Sequence, residues 1–420
     1  GSYSSVQTSA AVSDQVNSFS LNTNEGGFLW AISCRDNGGE ESMTGNRTII
    51  VDRTAPTLSS FSATPISGGD YSFTQVYTFE ASVNELADKV WLKFNGKDYF
   101  AAFLGGNTYG VTIPTLAAEV YSYQWFANDS AGNVGSSGVS SYVVNKAVPQ
   151  GTLSNSGLWT VIYGSIVNIG KTENNQGDED VVYSIYRNGV PRLDGESVNL
   201  GAGTYDYILS SATGENYTDN SSMDFKQFVV NSAGSIATLS FNGVDSPQIY
   251  GTAITATCTD TNPEASAVLY RNGVDVTAGE NNVPVILGAG DYAYDCIVAS
   301  TQNYTGANDT FDYHISQEVG EVQMSVNNAR NDFSVRVGSS VDLDAVLVSG
   351  QGAISLEFNN TLINSGNSPL HNTTILSTPG IYRTSAKYSG NANYTSDEES
   401  WFVTVTANQP PVASFTANPQ

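Results

Sequence analysis

Gly290-Asp291-Tyr292-Ala293-Tyr294-Asp295-Cys296 decides how this chain is read, because its opening step returns along the sequence. Glycine, one residue and an aromatic residue, followed by an alternating strand, occur at Gly26-Gly27-Phe28, Gly203-Thr204-Tyr205 and Gly380-Ile381-Tyr382. Glu119-Val120-Tyr121 is the same step without its glycine. The aromatic residues stand 93, 84, 87 and 90 positions apart. A period of that length is a whole domain and not a solenoid unit. Twelve residues beyond each of the last three aromatics comes a second tyrosine, always in Asn-Tyr-Thr: Tyr217, Tyr304 and Tyr394.

Upstream of each aromatic lies a hairpin signal. Lys93-Phe94-Asn95-Gly96, Tyr186-Arg187-Asn188-Gly189 and Tyr270-Arg271-Asn272-Gly273 each place Asn-Gly after an apolar run, and Glu357-Phe358-Asn359-Asn360 is a weaker version. Both turn residues tolerate the positive φ that a type I′ turn requires. A central hairpin, a long connection and a strand entered through an aromatic residue fit an immunoglobulin-like β-sandwich. There the recurring aromatic is expected to tie its loop back to the sheet as a tyrosine corner. Cys258 and Cys296 both face inward by alternation, in the second and sixth strands of their unit, and are expected to form an inter-sheet disulfide. In the preceding unit the same positions hold Lys171 and Leu209. A lysine inside a sandwich is unfavourable, so that strand is expected to end or slip before Lys171.

The composition agrees with an all-β chain of tandem sandwiches in a rod-like array. Gly, Ser, Thr and Asn abound, with 23 tyrosines and 17 phenylalanines, and no stretch shows helical periodicity. The 420 residues are divided as 1–54, a partial domain lacking its first strands; complete domains at 55–146, 147–232, 233–317 and 318–408; and 409–420, a single opening strand. Short joints such as Val51-Asp52-Arg53-Thr54-Ala55-Pro56 leave neighbours little freedom. The 41 acidic against 16 basic residues argue against nucleic acid or an anionic membrane as partner. No apolar run is long enough to span a bilayer. The disulfide implies an oxidising, extracellular setting.

Several stretches resemble prokaryotic surface arrays. Val51 to Pro56 looks like the joint between prokaryotic immunoglobulin-like repeats, and Ala127-Asn128-Asp129-Ser130-Ala131-Gly132-Asn133 looks like their last turn. Gly380 to Ser396 is similar to repeats of bacterial and archaeal adhesins and cell-wall proteins, and Gln409 to Ala417 resembles the opening strand of a PKD domain. The resemblance implies a fold and a cell-surface or secreted setting, and is nearly silent on molecular role.

Both ends read as partial domains. Cys34, in an alternating strand with Trp30 and Ile32, has no counterpart in its own unit and is read as half of an intermolecular or distant bridge, or as a free thiol. Two explanations stay open: a segment of a longer array, or a subunit whose neighbours complete each other's sheets by strand complementation.

Candidate sites follow from residue type. Asn-x-Ser/Thr occurs at Asn46, Asn128, Asn216, Asn220, Asn303, Asn308, Asn359, Asn372 and Asn393. That is about the number chance supplies in so Asn-rich a chain; all nine are expected on exposed turns and several as N-glycan acceptors, the alternative at the repeated Asn216, Asn303 and Asn393 being that Asn-Tyr-Thr simply makes the turn, with its tyrosine capping the sandwich edge. Glu173 with Asp178, Glu179 and Asp180, and Asp260 with Glu264, are calcium candidates set against plain solvated loop charge. Five tryptophans raise a sugar-stacking platform, although Trp91 and Trp125 are expected in the core. Lys93 and Lys226 are unremarked candidates for an isopeptide staple. Two histidines, His314 and His371, and the lack of any hydrolase, P-loop or zinc pattern argue against an enzyme. The reading is a structural unit of a surface layer, stalk or filament that self-associates end to end; the alternative is an adhesin for glycan or protein.

Overall fold

The computed structural model describes residues 7–12, 15–242, 247–414 and 416. The chain is all-β, a series of immunoglobulin-like sandwiches, and divides into two compact units. Unit 1 comprises Gly1–Thr160, Ile166–Asn199 and Thr204–Val229; unit 2 comprises Val161–Ser165, Leu200–Gly203 and Val230–Gln420.

In unit 1, strands Leu58–Thr64, Val76–Val83, Thr108–Pro114 and Ala102–Gly105 form one sheet. It packs on a second sheet of Gly69–Asp70, Ser140–Asn145, Val120–Asn128, Lys89–Phe94 and Lys97–Phe100. The facing sides alternate strictly: Val90, Leu92 and Phe94 are buried on one strand, Tyr121, Trp125 and Ala127 on its neighbour. Phe79, Leu92 and Trp125 are fully excluded from water. Each such side chain contributes about 1.5–3 kcal/mol by burial, which is why the alternation fixes the register.

The next sandwich of unit 1 sets Gly151–Asn155, Val167–Glu173 and Glu196–Val198 against Asn220–Asn231, Gly203–Ala212, Val182–Arg187 and Val190–Arg192. The strand expected to stop before Lys171 runs through it, with Leu153 paired to Lys171. The apolar stem lies in the sandwich while the ammonium reaches the Tyr183 ring at 4.8 Å and Asp194 at 3.7 Å, so the charge is never stranded.

Unit 2 contains one sandwich of Ala237–Phe241 and Ala256–Asp260 facing Gln248–Ile249, Ala307–Ser316, Gly290–Val298, Val268–Arg271 and Val274–Asp275. The other faces Glu321–Val326, Ser340–Ser349 and Leu370–Ile375 against Phe333–Arg336, Asp397–Thr406, Gly380–Tyr388, Ala353–Phe358 and Thr361–Asn367. A four-residue helix, Thr277–Glu280, is the one helix among the described residues. Cys258 and Cys296 are bonded across the first of these sandwiches, with Cα atoms 5.4 Å apart.

Local chemistry repeats with the sheets. Asn95-Gly96, Asn188-Gly189, Asn272-Gly273 and Asn359-Asn360 all have positive φ at both positions, as type I′ hairpins need. Tyr121, Tyr292 and Tyr382 donate to the carbonyls of Ala117, Gly288 and Thr378 at 3.0, 3.0 and 3.1 Å, closing a tyrosine corner four residues upstream. Two cores also hold a matching ionic group. Glu196 accepts from Tyr207 at 2.9 Å and pairs with Arg187 at 3.2 Å; Glu280 accepts from Tyr294 at 3.0 Å and pairs with Arg271 at 2.7 Å. Burial pushes Tyr207 up to about 12, so its hydroxyl keeps its proton and stays a donor.

Residues Gly26–Trp30 pair with Arg47–Val51, and Ser33–Arg35 with Glu41–Met43, as separate two-stranded ribbons. Residues 1–6 and 13–14 of the expected partial domain lie outside the described residues. Of the opening strand expected at 409–420, residues 409–414 and 416 carry no strand, and Phe415 and 417–420 lie outside the described residues.

Candidate functional site

The Asn-Tyr-Thr turns are not open loops. In unit 1, Asn216 is 6% exposed and its Oδ1 accepts the Ala118 backbone N–H at 2.7 Å. Its Nδ2 donates to the Gly177 carbonyl at 3.0 Å, so both ends of the amide are engaged. Tyr217 meets Tyr71 edge to face at 5.6 Å and belongs to the core cluster of Phe79, Leu92 and Trp125. The Tyr217 and Tyr71 hydroxyls donate to Gln176 and Gly177 at 3.1 and 3.2 Å. Gly177 has φ +77°, and a Cβ there would stand 2.2 Å from the Tyr71 oxygen, so glycine is required for the close approach. Backbone bonds complete the joint: Ala147 N–H to Asn216 O and Thr218 N–H to Ala147 O, both 2.9 Å.

Unit 2 builds the same clamp twice. Asn303 Oδ1 accepts from Ala202 N–H at 2.7 Å, and Asn393 Oδ1 from Ala289 N–H at 2.9 Å. Tyr304 meets Tyr163 at 5.5 Å and Tyr394 meets Tyr250 at 5.4 Å, each with ring planes 76° apart. Each turn also adds one parallel bridge, Ala233 to Tyr304 and Glu318 to Tyr394, just as Ala147 bridges Tyr217 in unit 1. The three donated N–H groups sit three residues ahead of Tyr121, Tyr205 and Tyr292, the aromatics that set the repeat. Exposed turns were expected at these positions, and the correction has a simple cause. An amide offers a donor and an acceptor, and tyrosine offers an apolar face; together they fit a pole that presents one free N–H and one ring.

Carboxylates anchor two of the three clamps. Asp178 Oδ2 accepts the Asn216 N–H at 2.6 Å, and Glu264 Oε1 accepts Asn303 Nδ2 at 2.6 Å. Desolvation works to raise Asp178, but hydrogen bonds from Asp180 and from the N–H groups of Asn216, Glu215 and Tyr217 hold it below the usual carboxylate range. Asp180, which shares the proton, is pushed up by that bond, by desolvation and by the Asp178 charge. The hydrogen bonds from Asn303 and Thr301 hold Glu264 down. Of the other calcium candidates, Glu173 accepts from Asn175 at 3.0 Å, and Asp260 accepts from Asn262 and Ala267, both at 2.8 Å. No group of three or more His, Cys, Asp or Glu among the described residues is placed to hold a metal ion.

One surface grouping has the residue types of a hydrolase. His371 Nδ1 lies 2.7 Å from Asp344 and its Nε2 3.2 Å from the Thr373 hydroxyl. The threonine proton, however, goes to Asp342 at 2.7 Å. The hydrogen bond to Asp344, and the charges of Asp344 and Asp342, raise the imidazole pKa, which favours its charged form and leaves less neutral imidazole free to accept a proton. His314 pairs with Asp291 at 2.7 Å on another exposed face. The two histidines stand on different sandwiches.

Trp125 is core, but Trp91 is not. It alternates outward between Val90 and Leu92, parallel to Phe126 at 5.2 Å and 8°. Phe100, its partner on the adjacent strand, is 73% exposed. Trp91 and Phe126 each cover one face of the other, and Phe100 leaves a further ring open beside them. Cys34 is exposed on its ribbon. Lys93 lies 4.0 Å from Asp98 and Lys226 3.5 Å from Asp224, both surface ion pairs.

No protein-family model and no curated protein matches the chain. Among solved structures it is similar to Sidekick-1 immunoglobulin domains 1–5, at 13% identity over 91% of this chain and 96% of that one, with TM-score 0.22. It is also similar to the N-terminal four immunoglobulin domains of Dscam1 isoform 8.4, at 12% identity over 84% and 99%, with TM-score 0.20. A third is a 1.5-MDa bacterial ice-binding adhesin, at 10% identity over 86% and 100%, with TM-score 0.19.

Proposed function

We propose that this chain is a non-enzymatic extracellular structural protein, a building unit of a surface layer, stalk or filament. The observation that carries this reading is the clamp. This polar arrangement, repeated three times, is devoted to holding sandwiches to their surroundings, not to lining a pocket. The inter-sheet disulfide supports an oxidising setting. No helix among the described residues is long and apolar enough to cross a membrane.

In this reading copies associate end to end by strand complementation. Among the described residues the ribbon Gly26–Trp30 with Arg47–Val51 pairs with no further strand, and Leu29 and Ile50 are 64% and 74% exposed on it. Val412, in an alternating stretch without a strand of its own, is 93% exposed. An unpaired alternating stretch and an open ribbon are complementary pieces. Electron microscopy of the purified chain, with cross-linking between 409–414 and 26–51, tests this. Fibres carrying that cross-link are expected, and deletion of 409–420 abolishes them. A chain that stays monomeric at high concentration overturns the reading.

The exposed Phe100 beside Trp91 and Phe126 favours the second reading, an adhesin. Binding on a glycan or surface-protein array that is lost in Phe100→Ala, with no fibres formed, would decide for it.

A further inference from the structure

The nine Asn-x-Ser/Thr sequences are equal in the chain and unequal in the fold. N-glycosylation joins a sugar C1 to Asn Nδ2 as the C1–O bond of a glycosyl phosphate donor breaks and one amide proton leaves. The acceptor amide must therefore be open and must tolerate a bulky substituent. We propose that N-linked sugars on the folded chain are carried by its open sites, Asn46, Asn308 and Asn359, and are excluded from Asn216, Asn303 and Asn393. The clamp residues are barred because each amide oxygen is already seated on a backbone N–H of the loop packed against it.

At Asn216 both amide atoms are hydrogen-bonded within a buried joint. At Asn303, Oδ1 holds Ala202 N–H and Nδ2 holds Glu264 Oε1 at 2.6 Å. At Asn393, Oδ1 is held by Ala289 N–H, and a Cβ added at Gly288 would stand 3.1 Å from that oxygen, so the loop lies directly against the amide. A sugar on any of the three would part the tyrosine pair beside it. The open sites differ in every respect. Asn46 stands exposed between strands Glu41–Met43 and Arg47–Val51. Asn308 is exposed on the strand Ala307–Ser316, opposite Ile297. Asn359 heads an exposed hairpin turn at φ +49°.

The test is secretion of the full chain from a cell line that attaches N-glycans, followed by glycopeptide mapping of the folded fraction. Sugar is expected at Asn46, Asn308 and Asn359 and absent from Asn216, Asn303 and Asn393. A triple variant, N46Q/N308Q/N359Q, is expected to lose those three glycans while its clamp asparagines stay bare. Sugar on any clamp asparagine of folded protein overturns the proposal, and so does a wild-type chain secreted with all three open sites bare. Mapping the clamp variant Tyr217→Ala provides a second check: opening that joint is expected to make Asn216 an acceptor, and an Asn216 that stays bare there shows that seating was not what protected it. None of these outcomes depends on whether copies polymerise.

Discussion

Asn216 and His371 show how single side chains are tuned by what the fold sets beside them. Replacing Asn216 by Ala leaves the Ala118 N–H without its partner in a buried joint, and leaves the Gly177 carbonyl with the Tyr71 hydroxyl alone. That is expected to cost about 1–3 kcal/mol, read as a lowered urea midpoint with faster amide exchange at Ala118. His371 is held above its ordinary 6.5 first by the Asp344 hydrogen bond. Because its folded pKa is raised, the pair's contribution is fully present below the unfolded pKa and is lost as pH rises through the folded one. Asp344→Asn should bring the imidazole titration, followed by NMR, back toward 6.5. An unchanged midpoint would show that Asp344 is not the cause.

The strand elements were legible in the sequence to different depths. Hairpins, tyrosine corners and the Cys258 to Cys296 spacing follow from periodicity 2 and from turn chemistry, both local. Lys171 and Trp91 depart from expectation because residue type states what a side chain prefers but not what waits at its position. One found a ring and a carboxylate to reach, and the other a neighbour to stack on. Reduction is expected to destabilise the sandwich holding the disulfide by about 2–5 kcal/mol, while residues 151–228, which lack one, keep their thermal transition. Calorimetry with and without reductant checks this. The clamps should also part company in acid. Asp178 and Glu264 have depressed pKa values, so their support is present at neutral pH and is lost as pH falls through the folded values. Asn393 is positioned instead by Asn391 Oδ1 at 2.7 Å, which does not titrate. Exchange at Ala118 and Ala202, corrected for intrinsic rate, should therefore accelerate in acid well before that at Ala289.

Across the whole molecule the formal net charge is −25. Self-repulsion of that kind opposes compact states and is screened by salt. Raising sodium chloride from about 20 mM to about 300 mM shortens the screening length several-fold and is expected to raise the melting temperature by a few degrees, about 1 kcal/mol in a sandwich-sized domain. A melting temperature that falls would mean that attractive pairs such as Arg383 with Glu398 outweigh repulsion.

By itself the sequence determined the fold class, the repeat and its aromatic landmarks, because alternation and Asn-Gly turns act over a few residues and the aromatic step recurs at domain length. It could not assign the Asn-Tyr-Thr turn. The partners of Asn216, Asn303 and Asn393 are single backbone N–H groups 98, 101 and 104 residues away. Ala118, Ala202 and Ala289 carry no side-chain signal for that role. Only tertiary structure brings such a donor to such an amide, and so only tertiary structure decided that these turns are joints and not open acceptor sites.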